Sequence, residues 1–428
     1  MIKTKEQQNF KRTKLACFSA YFTMSSVFSL PPVLFMPLRL QYGISYTLLG
    51  TLVLTNFCTQ LLIDLIFTLF SKHFNVGKIV KIMPLITTLG LALYAVIPWC
   101  FPSYAYGGLL IGTVIFSVSA GLSEALLSPV MAAIPSENPK RDMSTLHSLY
   151  AFGVFTVVII STLFIKLAGA ENWTYITLFF ATLPIIASLL FMLSPMPQLQ
   201  LDKRAEKRTK NRTKTVAIAL CVACIFFGSC AENAMSNWVS GYIESALKVD
   251  KALGDLIGMA GFAILLGLTR IWYAKKGKKI TTVLLVGMIG AFCCYIVVGL
   301  VDSVAVVVTA CVLTGLFTSM LWPGTLIMME ENVPKVGVSA YALLAAGGDF
   351  GASLAPQLLG IVTDSVAKSS LASSLSSSLG LTVEQIGLKA GMLVTAIFPL
   401  IGIAFVIFTM RFFKKHSFEN EISNDLLK

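Results

Sequence analysis

The sequence has few charged residues for a chain of its length. Only 13% of its 428 residues are Asp, Glu, Lys or Arg, and 21 are acidic, whereas 56% are hydrophobic. A soluble domain usually has about 25% charged residues. A folded chain of this composition could not cover its apolar side chains with polar ones. The scarcity of charge therefore excludes a soluble globular protein and indicates that lipid surrounds the fold.

The sequence also lacks the motifs of nucleotide- and metal-dependent enzymes. It contains no P-loop, no zinc motif and no hydrolase motif. The missing P-loop argues against an ATP-driven pump, so we expect neither an enzyme nor a bound cofactor or metal. The nine cysteines lie almost entirely within apolar runs and indicate no disulfide framework.

Twelve apolar runs are long enough to cross a bilayer, which takes about 20 apolar residues. They predict an all-α membrane protein with twelve transmembrane helices. We place these helices at 15–38, 44–70, 79–101, 105–134, 143–168, 173–195, 215–245, 252–273, 280–301, 304–329, 337–361 and 388–412. Pro31, Pro32 and Pro37 are expected to unwind or kink the first helix near its outer end. The first run is long enough to span the bilayer and remain, so no cleaved signal peptide is expected.

The basic residues indicate the orientation of the chain. If both termini are inside, 27 of the 33 Lys and Arg residues lie in inner segments and the remaining 6 lie outside. This asymmetry follows the positive-inside rule and depends on an even number of helices. It predicts a multi-pass protein of the cell (inner) membrane with both termini cytoplasmic. The net charge of +12 therefore reports topology, and no nucleic-acid partner is expected.

One helix pair occurs twice, 195 residues apart. Pro139 and Lys140 correspond to Pro334 and Lys335, and Gly153 corresponds to Gly348. The repeat predicts a bundle at 1–195, a basic cytoplasmic linker at 196–214, a second bundle at 215–412 and a cytoplasmic tail at 413–428. Bundles repeated in this way form the two halves of transporters and enclose a central site.

Four acidic residues lie deep within predicted helices. They are Asp64, Glu124, Glu232 and Asp349. A charge at the bilayer centre costs about 2.5–3.5 kcal/mol on insertion scales, and the sequence shows no Lys or Arg equally deep. Desolvation favours the neutral form of a carboxyl group, so these groups could bind and release protons. Alternatively, Asp64 forms a hydrogen bond within its half, and Asp349 caps a helix or bridges a close helix contact.

Other polar and aromatic residues lie near these acids on the same helices and form candidate binding surfaces with them. On helix two, Gln60 lies between Asn56 and Asp64 at a spacing of four, so all three share one face. On helix seven, amides and aromatics follow the acid: Glu232, Asn233, Asn237, Trp238 and Tyr242. Carboxylates and amides bind hydroxyl groups, and aromatic rings stack on the apolar faces of sugars. The alternative for Trp238 and Tyr242 is an interfacial aromatic belt.

Two further residues and one outer segment are candidates of other kinds. Trp322, beside Pro323, lines a cavity or packs at a kink. His147 lies near the inner boundary and relays protons, forms a gate or makes a packing contact. The Ser-rich segment at 362–388 is an insertion or a lid, with a possible capping box formed by Thr382 and Gln385.

Twelve helices, a basic central loop and repeated halves resemble the major facilitator superfamily. The segment GLTRIWYAKKGKK resembles its second-half gate motif, which implies a gate role for Arg270. The segments GLSEALLSPV, LHSLYAFGV and GGDFGASLAPQLLG resemble, more narrowly, the fucose:proton symporter family. That resemblance implies proton coupling and substrate binding by Glu124. The bacterial sugar symporter of that family has an acid in helix one, where this sequence has serines, and Asp349 or Asp64 could replace it.

These observations predict a secondary transporter that moves a monosaccharide or similar small polar solute by proton symport. Sodium is the alternative coupling ion, and we expect a monomer in contact with membrane lipid. A first alternative is a proton-antiport exporter of amphipathic compounds, which would have a wider and more apolar cavity. A second is a transport-dead membrane sensor, against which the short terminal segments argue.

Overall fold

The structure, a computed structural model, describes residues 5–70, 74–137, 139–197, 212–277, 279–333 and 338–416. These residues form helices and short connections, with no β-strand among them. Three predictions fall wholly or partly outside the described residues: the basic linker, the C-terminal tail and the side chain of His147.

The helices of the N-terminal half begin and end within a few residues of their predicted limits, except that α1 begins earlier. They are α1 (Lys5–Tyr42), α2 (Tyr46–Phe70), α3 (Val76–Cys100), α4 (Ala105–Ala133), α5 (Pro139–Ala168) and α6 (Trp173–Met192). Of the two expected effects of Pro31, Pro32 and Pro37, unwinding does not occur, because α1 continues through all three. The side chains around these prolines are buried, including Leu30 and Leu34, so this part of α1 is packed inside the protein, where helical prolines are tolerated.

The C-terminal half contains more interruptions than we expected. It comprises α7 (Arg212–Ser245), α8 (Lys251–Leu253), a π-helical segment (Gly254–Ala260), α9 (Gly261–Lys276), α10 (Ile280–Leu300), α11 (Val304–Thr318), α12 (Leu321–Asn332), α13 (Val338–Ala367), α14 (Ser370–Leu379), α15 (Val383–Thr395) and α16 (Ile397–Lys415). The predicted helices eight, ten and twelve are each divided in this way. Within the described part of the chain, ten helical spans are long and apolar enough to cross a membrane. The helices α5 and α13 complete the predicted set of twelve.

The chain folds into two compact units. Unit 1 comprises Met1–Ile44 and Thr55–Lys203, and unit 2 comprises Ser45–Leu54 and Arg204–Lys428. In unit 1, α1 packs on α5 and α6, and α3 packs on α4 and α6. In unit 2, α7 packs on α13 and α16, and α10 packs on α11. The pairing of α1 with α5 therefore has its counterpart in the pairing of α7 with α13.

Glycines allow close helix contacts within each unit. A Cβ on Gly153 of α5 would lie 2.6 Å from the carbonyl oxygen of Phe22 in α1. A Cβ on Gly348 of α13 would collide with the indole ring of Trp322 in α12. The two glycines that correspond in the sequence repeat thus both lie where a neighbouring helix leaves no room for a side chain.

The first residues of α2 belong to unit 2. The Asp364 carboxylate of α13 accepts hydrogen bonds from the backbone N–H groups of Tyr46, at 3.3 Å, and Thr47, at 2.6 Å. The Tyr46 hydroxyl donates to Glu384, and its ring packs on Trp238 with centroids 5.6 Å apart. Side chains of unit 2 thus hold the N-terminus of α2.

The Ser-rich outer segment is largely helical. It contains α14 and the predicted capping box, in which Thr382 accepts from the Gln385 backbone and Gln385 accepts from the Thr382 backbone. The box starts α15 at Val383, and α13 extends to Ala367, beyond its predicted end at 361. Because α13 ends later and α15 begins earlier than predicted, the connection between them consists mainly of the short helix α14.

Candidate functional site

Unit 1 contains a buried polar network between α2 and α4. The Asn56 side-chain oxygen accepts hydrogen bonds from Gln60 Nε2, at 2.8 Å, and from Ser117 Oγ, at 2.7 Å. Gln60 is 1% exposed and Ser117 is fully buried. The spacing of four on α2 brings the two amides together, and Gly121 lets α4 approach the Gln60 backbone. This network fixes the polar face of α2 against α4.

Two candidate acids follow on the same faces, one turn further along each helix. Asp64 comes four residues after Gln60, and Glu124 comes three residues after Gly121. Their carboxyl groups are within electrostatic reach of each other. Among the described residues, neither acid forms an ion pair, and the buried Asp64 Oδ1 has no hydrogen-bond partner. The Glu124 side chain is exposed, so α4 presents one accessible member of a close acidic pair.

A cluster of aromatic rings from three helices extends from the neighbourhood of Glu124. Tyr21 of α1 is within electrostatic reach of Glu124, and its ring packs edge-on against Tyr150 with centroids 6.4 Å apart. Tyr150 packs on Phe28 at 5.7 Å, and Phe28 packs on Phe57 at 5.9 Å. No local pattern in the sequence indicates this cluster, because its four rings come from three separate helices.

Unit 2 satisfies the amides of α7 largely within the helix itself. Asn233 Nδ2 donates to the Ser229 carbonyl at 3.1 Å, and Asn237 Nδ2 donates to the Asn233 carbonyl at 2.8 Å. Both bonds join residues four apart in one helix. The donor groups of these amides are therefore engaged with the backbone in this structure.

The two aromatic residues of α7 are buried in the core of unit 2. Trp238 is 1% exposed and donates from Nε1 to the Pro356 carbonyl at 3.1 Å. Tyr242 is fully buried, and its hydroxyl donates to the Val298 carbonyl at 2.6 Å. The structure thus places both rings in helix packing and not on an open surface or in an interfacial belt.

Glu232 of α7 has a cationic neighbour that no sequence pattern indicates. Arg270 Nη2 of α9 lies 3.4 Å from Glu232 Oε1, and Arg270 Nε donates to the Ser319 carbonyl at 2.9 Å. That carbonyl is available because the residue four positions later is Pro323, which has no N–H. The expectation that no basic residue lies as deep as the acids is therefore wrong for Glu232, because the interruption between α11 and α12 binds the guanidinium.

The remaining candidates occupy separate positions in unit 2. Asp349 of α13 is 5% exposed. Trp322 is half-buried, with its ring against Gly348. A cavity of about 660 Å³ lies between α10 and α11, but its apolar lining contains none of the candidate residues. Among the candidates described in unit 2, the structure brings Glu232 and Arg270 together as a charged pair.

Comparisons with known proteins agree with this architecture. The family model described as Major Facilitator Superfamily matches residues 15–356. No curated protein matches the chain in sequence. Three solved structures, each 13–14% identical, show the same fold.

The first of these structures is a bacterial homolog of the human lysosomal transporter Spinster, in an inward-facing and occupied conformation. It has a TM-score of 0.75 and covers 97% of this chain and 100% of its own. The second is a D-xylose-proton symporter, with a TM-score of 0.72 and coverage of 91% and 97%. The third is a variant of the E. coli fucose:proton symporter, with a TM-score of 0.58 and coverage of 94% and 99%. The family match covers well over half of the chain, and the chain is therefore a member of the major facilitator superfamily, a multi-pass membrane transporter.

Proposed function

We propose that the chain is a proton-coupled symporter of a small polar solute of the monosaccharide class. The observation that supports this proposal most directly is the acidic pair of unit 1. Asp64 and Glu124 interact electrostatically, and within the described residues neither is neutralised by a basic side chain. Two carboxylates that interact electrostatically disfavour simultaneous ionisation. Such a pair is suited to bind one proton and release it again.

The surroundings of the pair support a hydroxyl-rich solute with an apolar ring face. Glu124 is accessible and can accept hydrogen bonds from hydroxyl groups. The half-buried rings of Phe28, Phe57 and Tyr150 provide the apolar surface that such a solute packs against. Binding at Glu124 would thereby change the proton affinity of the pair, which links solute occupancy to protonation. Asp349 remains a further candidate for proton coupling in unit 2.

Proton movement in membrane vesicles tests the proposal. Vesicles without an imposed gradient receive one sugar at a time while the external pH is recorded. We expect alkalinisation with a transported sugar, and none with the Glu124→Gln variant. The matched control is Glu137→Gln, which removes an exposed acid just beyond α4 and should behave as the wild type.

Two results would contradict the proposal. If sugars enter the vesicles without alkalinisation, coupling is to sodium or absent. If the folded protein moves no sugar but extrudes amphipathic cations when a proton gradient is applied, the exporter alternative replaces symport.

We also propose that both termini are cytoplasmic and that the two six-helix bundles alternate access in a monomer. The distribution of basic residues supports the orientation. An impermeant thiol reagent should label a Lys279→Cys variant of a cysteine-free chain only after the membrane is opened. If the reagent labels this variant in intact cells, residue 279 lies outside and the proposed orientation is wrong.

A further inference from the structure

The Glu232–Arg270 pair of unit 2 has binding capacity that its own contacts leave unused. We propose that Arg270 binds a carboxylate group of the transported solute, so that the solute is a sugar acid and not a neutral sugar. This inference rests on the proposed function and names the substrate class within it. Four properties of the pair carry it: a fixed guanidinium, a loose contact, an unpartnered oxygen atom and open space.

The guanidinium of Arg270 is held in place by the fold. Its Nε donates to the Ser319 carbonyl at 2.9 Å, which the missing N–H of Pro323 leaves available. One edge of the guanidinium is thereby fixed to the interruption between α11 and α12. Within the described residues, Nη1 has no hydrogen-bond partner. A fixed guanidinium with a free edge is suited to bidentate binding of a carboxylate.

The contact with Glu232 is weak for an ion pair. A single oxygen atom, Oε1, lies 3.4 Å from Arg270 Nη2. By comparison, Lys389 lies 2.6 Å from Asp302 in the same unit. Charge-assisted N–H···O bonds are typically about 2.7–2.9 Å long. Glu232 thus leaves most of the donor capacity of Arg270 unused.

Glu232 also has an unused acceptor. Its Oε2 is buried and has no hydrogen-bond partner among the described residues. A buried polar atom without a partner is costly, so a ligand that donates a hydrogen bond there would stabilise the site. A hydroxyl group beside a carboxylate in the same solute would supply such a donor.

The pair is accessible, and space lies next to it. The side chains of Arg270 and Glu232 are 41% and 18% exposed. Gly267 precedes Arg270 by three residues on α9, and a Cβ there would meet nothing within 4 Å. The half-buried Asn233 and Ser236 continue the polar face of α7 beside Glu232. An incoming solute therefore reaches the exposed guanidinium of Arg270 first, with the less exposed Glu232 behind it.

Paired sugars that differ only at carbon six test the inference. The full chain is placed in lipid nanodiscs, and binding of D-galacturonate and D-glucuronate is measured by calorimetry against D-galactose and D-glucose. We expect at least one uronate to bind about tenfold more tightly than its hexose, which corresponds to about 1.4 kcal/mol. The Arg270→Gln variant should lose that preference, whereas Glu232→Gln should keep it because the guanidinium remains.

A matched control and a conservative variant separate recognition from folding. Lys275→Gln removes an exposed cation from the same helix and should leave the preference unchanged. Arg270→Lys keeps the charge without the planar fork, so a correctly folded Arg270→Lys protein should show a reduced preference. Each variant is first shown to elute as a single folded species.

The possible failures are distinguishable. If the wild type binds uronate and hexose equally well, the inference is wrong. It is also wrong if the Arg270→Gln variant still prefers uronate. Neither result contradicts sugar symport. Uronate preference without any proton movement supports the inference and contradicts proton symport. If no uronate and no hexose binds, both proposals fall.

Discussion

Replacing Asp364 by alanine removes the acceptor that holds the first turn of α2 within unit 2. The carboxylate accepts from the backbone N–H groups of Tyr46 and Thr47, at 3.3 and 2.6 Å. These are two of the N-terminal donors that a helix cannot satisfy by itself. Asp364 therefore acts as an N-cap supplied from a distant helix.

The size of the effect follows from these two bonds. Loss of an N-cap side chain costs about 0.5–2 kcal/mol, and a hydrogen bond to a charged group contributes about 1.5–3 kcal/mol. Asp364 is only partly buried, so water can replace part of what is lost. We expect Asp364→Ala to reduce the free energy of unfolding by about 1–2 kcal/mol. In a unit of this size, each kcal/mol lowers Tm by about 2–4 °C.

Thermal unfolding in detergent, followed by tryptophan fluorescence, measures the change. Asp364→Asn retains an acceptor oxygen, and Asn is as good an N-cap as Asp, so its Tm should lie between those of the alanine variant and the wild type. Glu331→Gln, an exposed acid at the end of α12, is the matched control and should not change Tm. If Asp364→Ala unfolds at the temperature of the wild type, the carboxylate does not hold the start of α2.

Two smaller predictions test the packing and the outer segment. Gly90→Ala would place a Cβ 2.7 Å from Phe116 Cβ at the contact of α3 with α4, and overpacking of this kind costs about 1–3 kcal/mol. The yield of monodisperse protein should fall for this variant, whereas Gly107→Ala, which meets nothing within 4 Å, should express normally; equal yields would contradict the tight contact. Thr382→Ala removes one half of the capping box and should lower the stability of the chain by about 1 kcal/mol. Thr382→Ser should retain the wild-type stability. If the Tm of Thr382→Ala equals that of the wild type, the capping box does not contribute to stability.

The class of protein could be predicted from composition and apolar runs. In a bilayer, the backbone N–H and C=O groups of a single spanning segment must form hydrogen bonds within that segment. A long apolar run is therefore expected to be a helix. The helix limits, the family resemblance and the repeat of close-packed glycines at Gly153 and Gly348 all follow from local pattern. The capping box at Thr382 was predictable for the same reason, because its two residues are three positions apart.

The interruptions in the helices were harder to predict. Three prolines leave α1 continuous, whereas Pro323 lies beside a break between α11 and α12. A proline by itself therefore does not decide whether a helix continues. Here a side chain from α9 occupies the freed Ser319 carbonyl, which no local pattern in the sequence records.

The sequence alone determined that this chain is a helical membrane protein of two repeated halves with a few deep acids. Only the tertiary structure decided which groups those acids meet. Arg270 reaches Glu232 across 38 residues, Asp364 binds the N-terminus of α2 across 318 residues, and Trp238 is buried in the core of unit 2. Hydropathy and helical spacing act over a few turns, whereas these partners are set by how distant helices pack against each other.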